Sequence, residues 1–309
     1  MRIGVVDIGS NSTRLLVADV SEGGRVTELE RRSTVTRLGQ GVDASGALAD
    51  EAMARVFATL DAYGELLDAL GASARTAVLT SAVRDAVNGS AFTQRVADTY
   101  GLEARTLAGD EEAQLSFLGA TSERDHARDG APLVVIDIGG GSTEFVVGRA
   151  GAVSFHVSTQ AGVVRQSERH LTVDPPDGEE LQRLVADARA VYEAALPSEV
   201  RTGVQAAVAV AGTATSCAAI AQGLEPYDPA RVHGYVLEVA ELEALGARLG
   251  AVPEAQRREV PGLHPDRAPT IVAGITLLIE ALGVLGLPRC EVSEHDILRG
   301  VALRRARAG

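Results

Sequence analysis

The chain has 309 residues, 46% apolar and 23% charged, which excludes disorder, a collagen-like repeat and a disulfide scaffold and suits two domains with a core each. Its net charge is −13, it has no Trp and only 3% aromatics, and all 29 basic residues are arginine. That balance argues against a duplex binder or a single-strand stacking platform, so neither DNA nor RNA is an expected partner.

In chain order, the apolar run at Val5-Val6 reads as a strand ending in Asp7, followed by a Gly/Ser turn and a second apolar run. Residues 49–70 carry Met53, Val56, Phe57, Leu60, Tyr63, Leu67 and Leu70 on one helical face. A strand at 76–80, a helix at 90–100, a strand at 102–107 and a helix at 110–119 follow. The polar segment 121–130 marks a domain boundary, giving domains 1–124 and 125–309. Beyond it come two strand-like runs around residue 140, a strand at 153–158, a helix at 179–195 and a strand at 206–211. A helix opening near Thr213, helices at 239–249 and 268–282, a strand at 290–292 and a terminal helix complete the chain. Alternating strands and helices mean an α/β fold. The N-terminus reaches Asp7 too soon for a signal peptide, and Glu280 interrupts the apolar stretch 271–287, so no membrane association and a cytoplasmic location are expected. Cys217 and Cys290 read as reduced core thiols.

The strongest signal is an internal repeat. Residues 5–17 (Val5 to Val17) align without gaps on residues 135–147, with seven of thirteen positions identical. Asp7 and Asp137, Gly9 and Gly139, and the Ser12-Thr13 and Ser142-Thr143 pairs are shared, whereas Arg14 stands where the second copy has Glu144. Gly139-Gly140-Gly141-Ser142-Thr143-Glu144 is not a dinucleotide fingerprint, because a strand-like run follows it instead of a helix, and without lysine it is no Walker loop. A tight hairpin turn remains, whose glycines let backbone N–H groups converge on an anion. Two such turns, each led by an Asp at a strand end, point to phosphate and to a divalent cation held beside it.

These paired turns resemble the two phosphate motifs of the exopolyphosphatase/guanosine pentaphosphate phosphohydrolase (Ppx/GppA) family, in its short form without a C-terminal His-Asp-type helical domain. Matching segments continue along the chain at 80–86, 109–113, 211–215, 232–235 and 262–268. The resemblance implies two RNase H-like domains of the actin-like ATPase superfamily with a cleft between them, and Glu112 as general base for the attacking water. It further implies phosphate contacts from Gly9, Ser10, Asn11, Ser12, Thr13, Arg14, Arg84, Gly139, Gly140, Gly141, Ser142, Thr143, Gly212 and Thr213. Asp137, Glu144 and Asp7 would hold Mg²⁺ or Mn²⁺. The implied activity is release of orthophosphate from the ends of short inorganic polyphosphate, by a homodimer. Guanosine pentaphosphate hydrolysis, or non-catalytic sensing of an alarmone or polyphosphate, are the alternatives.

On the residues alone, several assignments stay open. Asp110, Glu111 and Glu112 equally complement a helix N-terminus, and Glu111 competes with Glu112 as base. Arg14 fits a solvated strand position, and Thr213 fits simple helix capping. Arg84 falls in a turn after a strand. The histidines His126, His156, His170, His233, His264 and His295 show no metal-pair spacing and read as surface or satisfied core residues, except that His233 and His264 lie in the family-like segments. Asp296, where relatives often have Gly, leaves the start of the last helix open.

Overall fold

The computed structural model describes residues 1–124 and 130–308. It divides into two compact units, Met1–Ser122 with Asp296–Gly309, and Glu123–His295. The first contains β1 (Arg2–Ile8), β2 (Ser12–Val20), β3 (Val26–Val35), α1 (Val42–Ser45), α2 (Asp50–Ala69), β4 (Ala74–Leu79), α3 (Ser81–Asp85), α4 (Gly89–Tyr100), β5 (Glu103–Thr106) and α5 (Gly109–Ala120). The second runs through β6 (Leu133–Ile138), β7 (Thr143–Arg149), β8 (Ala152–Thr159), α6 (Val163–His170), α7 (Gly178–Ala195), α8 (Ser198–Gly203), β9 (Ala206–Val210) and α9 (Ala211–Gln222). It continues with α10 (Pro229–Val232), β10 (Val236–Glu238), α11 (Val239–Gly250), α12 (Glu254–Arg257), a 3-10 turn at Pro265–Arg267, α13 (Ile271–Val284) and β11 (Arg289–Val292). The last helix, α14 (Ile297–Ala308), returns to the first unit.

The first sheet has the order β3-β2-β1-β4-β5, with β1, β2 and β3 antiparallel and β4 and β5 parallel to β1. The second, β10-β11-β9-β6-β7-β8, repeats that order in β8-β7-β6-β9-β11 and adds β10 at the edge. The duplicated turn therefore belongs to a duplicated RNase H-like sheet, as the α/β expectation required. Two features depart from the sequence reading. Edge strand β3 was not anticipated, because its sequence VTELERRSTV is charged and mostly exposed, with no apolar alternation to mark it. Residues 297–308, expected in the second domain, form α14, which packs on β1, β2 and α5. Residues 125–129 of the polar 121–130 segment, His126 among them, lie outside the described residues.

Strand alternation sorts the first unit's sheet into two faces. Val6, Ile8, Leu15 and Val17 face α2 and α4, meeting Val56, Leu60, Tyr63, Leu67, Phe92 and Val96. Ile3, Val5, Leu16 and Ala18 face the other way, against Leu115 of α5 and Leu298, Val301 and Ala302 of α14. The same parity puts Asp7 and Arg14 on this second face. Helices α5 and α14 cross in backbone contact: a Cβ on Gly300 would lie 1.9 Å from the Leu115 carbonyl oxygen, and one on Gly119 would lie 1.8 Å from that of Asp296.

In the second unit one core joins Val134, Ile136 and Phe145 to α7, α9, α11 and α13. Helix α13 is buried nearly all round, and its Glu280 is stabilised there by the Arg189 guanidinium of α7, with Nε 2.8 Å from Oε2. Among the described residues, no helix is long and apolar enough to cross a membrane. Both cysteines are free and buried.

Gly300→Ala is expected to destabilise the first unit by about 1–3 kcal/mol, since backbone must move to admit the methyl group. A urea-unfolding midpoint equal to wild type would contradict the α5–α14 contact.

Candidate functional site

In the first unit, the turn between β1 and β2 closes with Gly9 N donating to Ser12 O at 3.0 Å. Its carbonyls are held from one side by the segment after β3: Thr36 N and Arg37 N donate to Asn11 O, and Gly39 N donates to Ser10 O. A trans peptide points its N–H away from its own C=O. The Asn11 and Ser12 amides are thereby aimed away from that segment, as an anion nest requires.

The second unit repeats the device with a different clamp. Gly139 N donates to Ser142 O at 2.9 Å, and the first amides of α6 hold the turn's carbonyls, Val163 N on Gly139 O and Val164 N on Gly140 O. Arg165 Nε adds a bond to Gly141 O at 3.0 Å. The amides of Gly140, Gly141 and Ser142 therefore turn away from α6. Close approach makes glycine necessary at Gly162, where a Cβ would lie 2.4 Å from Gly140 O and Ser142 N. Sequence reasoning passed over Gly162, which precedes a helix whose charged sequence VVRQSERH carried little apolar pattern.

The side chains after the turns behave differently from expectation. Thr13 and Thr143 are fully buried. The Thr13 hydroxyl meets Thr36 Oγ1 at 3.0 Å, and that of Thr143 donates to Ala161 O and meets Tyr192 OH. Both hydroxyls anchor their turns to the core and are not phosphate donors. Ser10, by contrast, meets Ser81 Oγ at 3.0 Å on the partly buried face of its turn.

Beside the first turn lies a buried charge cluster. Asp7 and Arg14 face each other in register across β1 and β2, with Arg14 Nε 2.8 Å from Asp7 Oδ2. Arg14 Nη1 reaches Asp296 Oδ2 at 2.6 Å, and Arg31 Nη1 lies 3.6 Å from Asp296 Oδ1. Burial raises the Asp296 carboxyl, yet Arg14, Arg31 and the Leu298 N–H together outweigh it and hold Asp296 below the usual range. Asp7 has one guanidinium and a buried Oδ1 with no hydrogen-bond partner, so burial wins and its carboxyl is pushed up. The Arg14 guanidinium, expected to meet phosphate, bridges two carboxylates of its own unit. Asp296, the departure noted at the last helix, explains the difference by being one of them.

Glu112, in the first turn of α5, accepts from Arg84 Nη1 at 2.9 Å, and the same nitrogen donates to Leu107 O. Arg84 sits in the short helix α3, not in a turn. Burial pushes the Glu112 carboxyl above its ordinary value against the pull of Arg84, and the charges of Asp7 and Arg14 are also felt there. Glu111 points elsewhere, accepting from Arg105 at 2.7 Å and Arg304 at 2.8 Å, and the Arg105 bond leads the interactions that hold its carboxyl low. The two candidates for base are separated by environment: Glu111 is tied to surface arginines, while Glu112 sits with Arg84 near Asp7.

In the second unit the register pairs Asp137 with Glu144 where the first unit pairs Asp7 with Arg14. Facing carboxylates offer hard oxygen donors, the kind of ligand that Mg²⁺ or Mn²⁺ takes. Ser158 Oγ donates to Glu144 Oε1 at 2.8 Å and orients it. Asp137 and Glu144 therefore fit the metal. Asp7 fits less well, because Arg14 already occupies one of its oxygens. Gly212 lies in the first turn of α9 directly under the Arg267 guanidinium, where a Cβ would overlap it, and Thr213 is buried against Gly274 of α13. Arg267 lies in the family-like segment 262–268, and its reach over α9 is a tertiary contact that spacing along the chain does not show. The histidines hold a surprise of the same kind: the rings of His233 and His295 pack with centroids 4.2 Å apart, tilted by 39°.

The profile of the Ppx/GppA phosphatase family matches residues 16–307. Exopolyphosphatase 2 of Mycobacterium tuberculosis is 40% identical over 317 aligned positions, covering 99% of this chain and 98% of that protein. Exopolyphosphatase 1 of the same species is 30% identical over 310 positions, covering 99% and 88%. Among solved structures, an exopolyphosphatase-like protein superposes with a TM-score of 0.90 at 32% identity, covering 99% of this chain and 98% of that one. The Aquifex aeolicus member of the Ppx/GppA family does so with a TM-score of 0.84 at 28% identity, covering 100% and 98%.

Removing one carboxylate from the buried cluster leaves Arg14 and Arg31 undercompensated, so Asp296→Ala is expected to cost on the order of 3 kcal/mol in urea unfolding at neutral pH. Because the folded-state carboxyl lies below its unfolded value, its contribution is complete above about pH 4 and is lost as pH falls through the folded value. The stability gap between wild type and variant should therefore narrow in acid; a gap that widens below pH 4 would overturn the assignment.

Proposed function

The chain belongs to the Ppx/GppA phosphatase family, and from that premise we propose that it is a phosphoanhydride hydrolase releasing orthophosphate from the ends of short inorganic polyphosphate. The observation that carries the reading is Glu112, a half-buried carboxylate held by Arg84 and set apart from the surface-paired Glu111. In this reading the amides of the turns at 9–12 and 139–142 bind non-bridging phosphate oxygens, and Arg84 adds a cation. Asp137 and Glu144 would hold Mg²⁺ or Mn²⁺ in the second unit, where the ion when bound would neutralise phosphate charge, and Asp7 is the weaker candidate in the first. Glu112 accepts the proton of the attacking water at its carboxylate. A carboxyl raised above the ordinary value is the stronger base, and burial supplies that shift.

Substrate preference within the family is proposed from the same features. The two amide nests recognise phosphate, which every unit of polyphosphate repeats, whereas guanosine pentaphosphate adds a base that no residue identified above would read. The test is orthophosphate release with Mg²⁺ from short polyphosphate, long polyphosphate and guanosine pentaphosphate. Glu112→Gln should lower release at least about 100-fold, while Glu111→Gln stays within about tenfold of wild type. Release from guanosine pentaphosphate alone would keep the chemistry and overturn the substrate.

The raised carboxyl also fixes a pH dependence. Glu112 must be ionised to act, so kcat/KM should fall in acid with an apparent pKa above the ordinary glutamate value of 4.5. Arg84 lowers the Glu112 carboxyl, so Arg84→Gln should move that acid limb to higher pH, besides lowering the plateau. An acid limb unmoved by Arg84→Gln would separate Glu112 from the profile.

A further inference from the structure

The geometry points to a second metal site in this protein, built from Glu123, His233 and His295 of the second unit and suited to Zn²⁺ or a similar borderline divalent ion. One ligand atom from each residue lies within 4.8 Å of the other two. His233 Nε2 is 3.6 Å from Glu123 Oε2, and His295 Nδ1 is 3.9 Å from the same oxygen. Both spacings are too long for a direct hydrogen bond. They are slightly wider than the roughly 3.3–3.5 Å that separates neighbouring ligand atoms around a tetrahedral ion with bonds near 2.0–2.2 Å. The two imidazole nitrogens lie within 4.8 Å of each other, so the three side chains would draw together onto one ion, with a fourth position left for water.

The surroundings support cation binding. Arg124, next to Glu123 in sequence, turns its guanidinium to Glu291 at 2.7 Å. Glu294, next to His295, commits its carboxylate to the Tyr227 hydroxyl. The ring of His295 is largely buried, and its backbone is fixed by the Ser293 hydroxyl, which accepts the His295 N–H and donates to the His295 carbonyl. Glu294 N donates to His233 Nδ1 at 3.3 Å, a long contact that must open when Nε2 takes a metal and Nδ1 takes the proton. Two imidazoles and one carboxylate favour Zn²⁺, Co²⁺ or Ni²⁺ over Mg²⁺, which prefers oxygen ligands. The site is thus chemically distinct from the Asp137–Glu144 pair. Glu123 and His295 are the first and last residues of the second unit, so a bound ion would join the two ends of that unit's chain.

The experiment uses tag-free full-length protein stripped with chelator, then titrated with Zn²⁺ and separately with Co²⁺, in excess Mg²⁺. Wild type should retain one Zn²⁺ per chain after dialysis, show visible Co²⁺ absorption that Zn²⁺ abolishes, and unfold at a higher temperature with Zn²⁺ present. His233→Gln, at a partly exposed position, and Glu123→Gln should each weaken Zn²⁺ binding at least about tenfold and remove the thermal shift. His264→Gln, at an exposed histidine outside the cluster, should behave as wild type. Failure of wild type to retain Zn²⁺, or retention unchanged in His233→Gln and Glu123→Gln, would overturn the site.

Discussion

The guanidinium of Arg14 sits between two buried carboxylates, and much of the first unit is organised around that contact. Asp7 comes from the end of β1, Arg14 from the strand opposite, and Asp296 from the residue before α14. A buried charge is tolerated only when paired and hydrogen-bonded, so each of these groups requires the others in place. The consequence reaches beyond the trio. Seating Asp296 brings α14 onto β1, β2 and α5, and the glycines at 119 and 300 let α5 and α14 meet backbone to backbone. Helix α5 carries Glu112 in its first turn. The position of the proposed base therefore depends on an ion pair that does not touch it directly.

The duplicated halves show how one backbone device acquires two electrostatic roles. Both turns close with the same Gly-to-Ser hydrogen bond, and both are anchored through the Thr that follows. Tyr63 donates to the Thr13 carbonyl, while Tyr192 meets the Thr143 hydroxyl. What differs is the residue opposite the aspartate. Arg14 faces Asp7 across the first pair of strands, whereas a second carboxylate, Glu144, faces Asp137 across the other. The clamps differ as well: a loop after β3 holds the first turn, and the N-terminus of α6 holds the second. A helix start offers several amides in one direction, which is why it can secure two successive carbonyls of a glycine turn.

The strands, the long helices and the repeat were legible in sequence because period-2 and period-3.6 apolar patterns and a gapless alignment are local properties. The amphipathic helix at 49–70, the strand at 206–211 and the helix at 179–195 lie within a residue or two of α2, β9 and α7. So were the two turns, since Asp at a strand end followed by Gly and Ser is a local constraint on backbone and charge. Strand β3 was not legible, because a charged edge strand owes its existence to the hydrogen bonds of its neighbour β2. Tertiary structure alone decided that α14 belongs to the first unit, that the Thr13 and Thr143 hydroxyls turn inward, and that Arg14 serves Asp7 and Asp296. It alone also brought Glu123 to His233 and His295 across a long stretch of chain. Each of these is a pairing between residues distant in sequence, set by which side chain fills a space or neutralises a charge that only the folded chain creates.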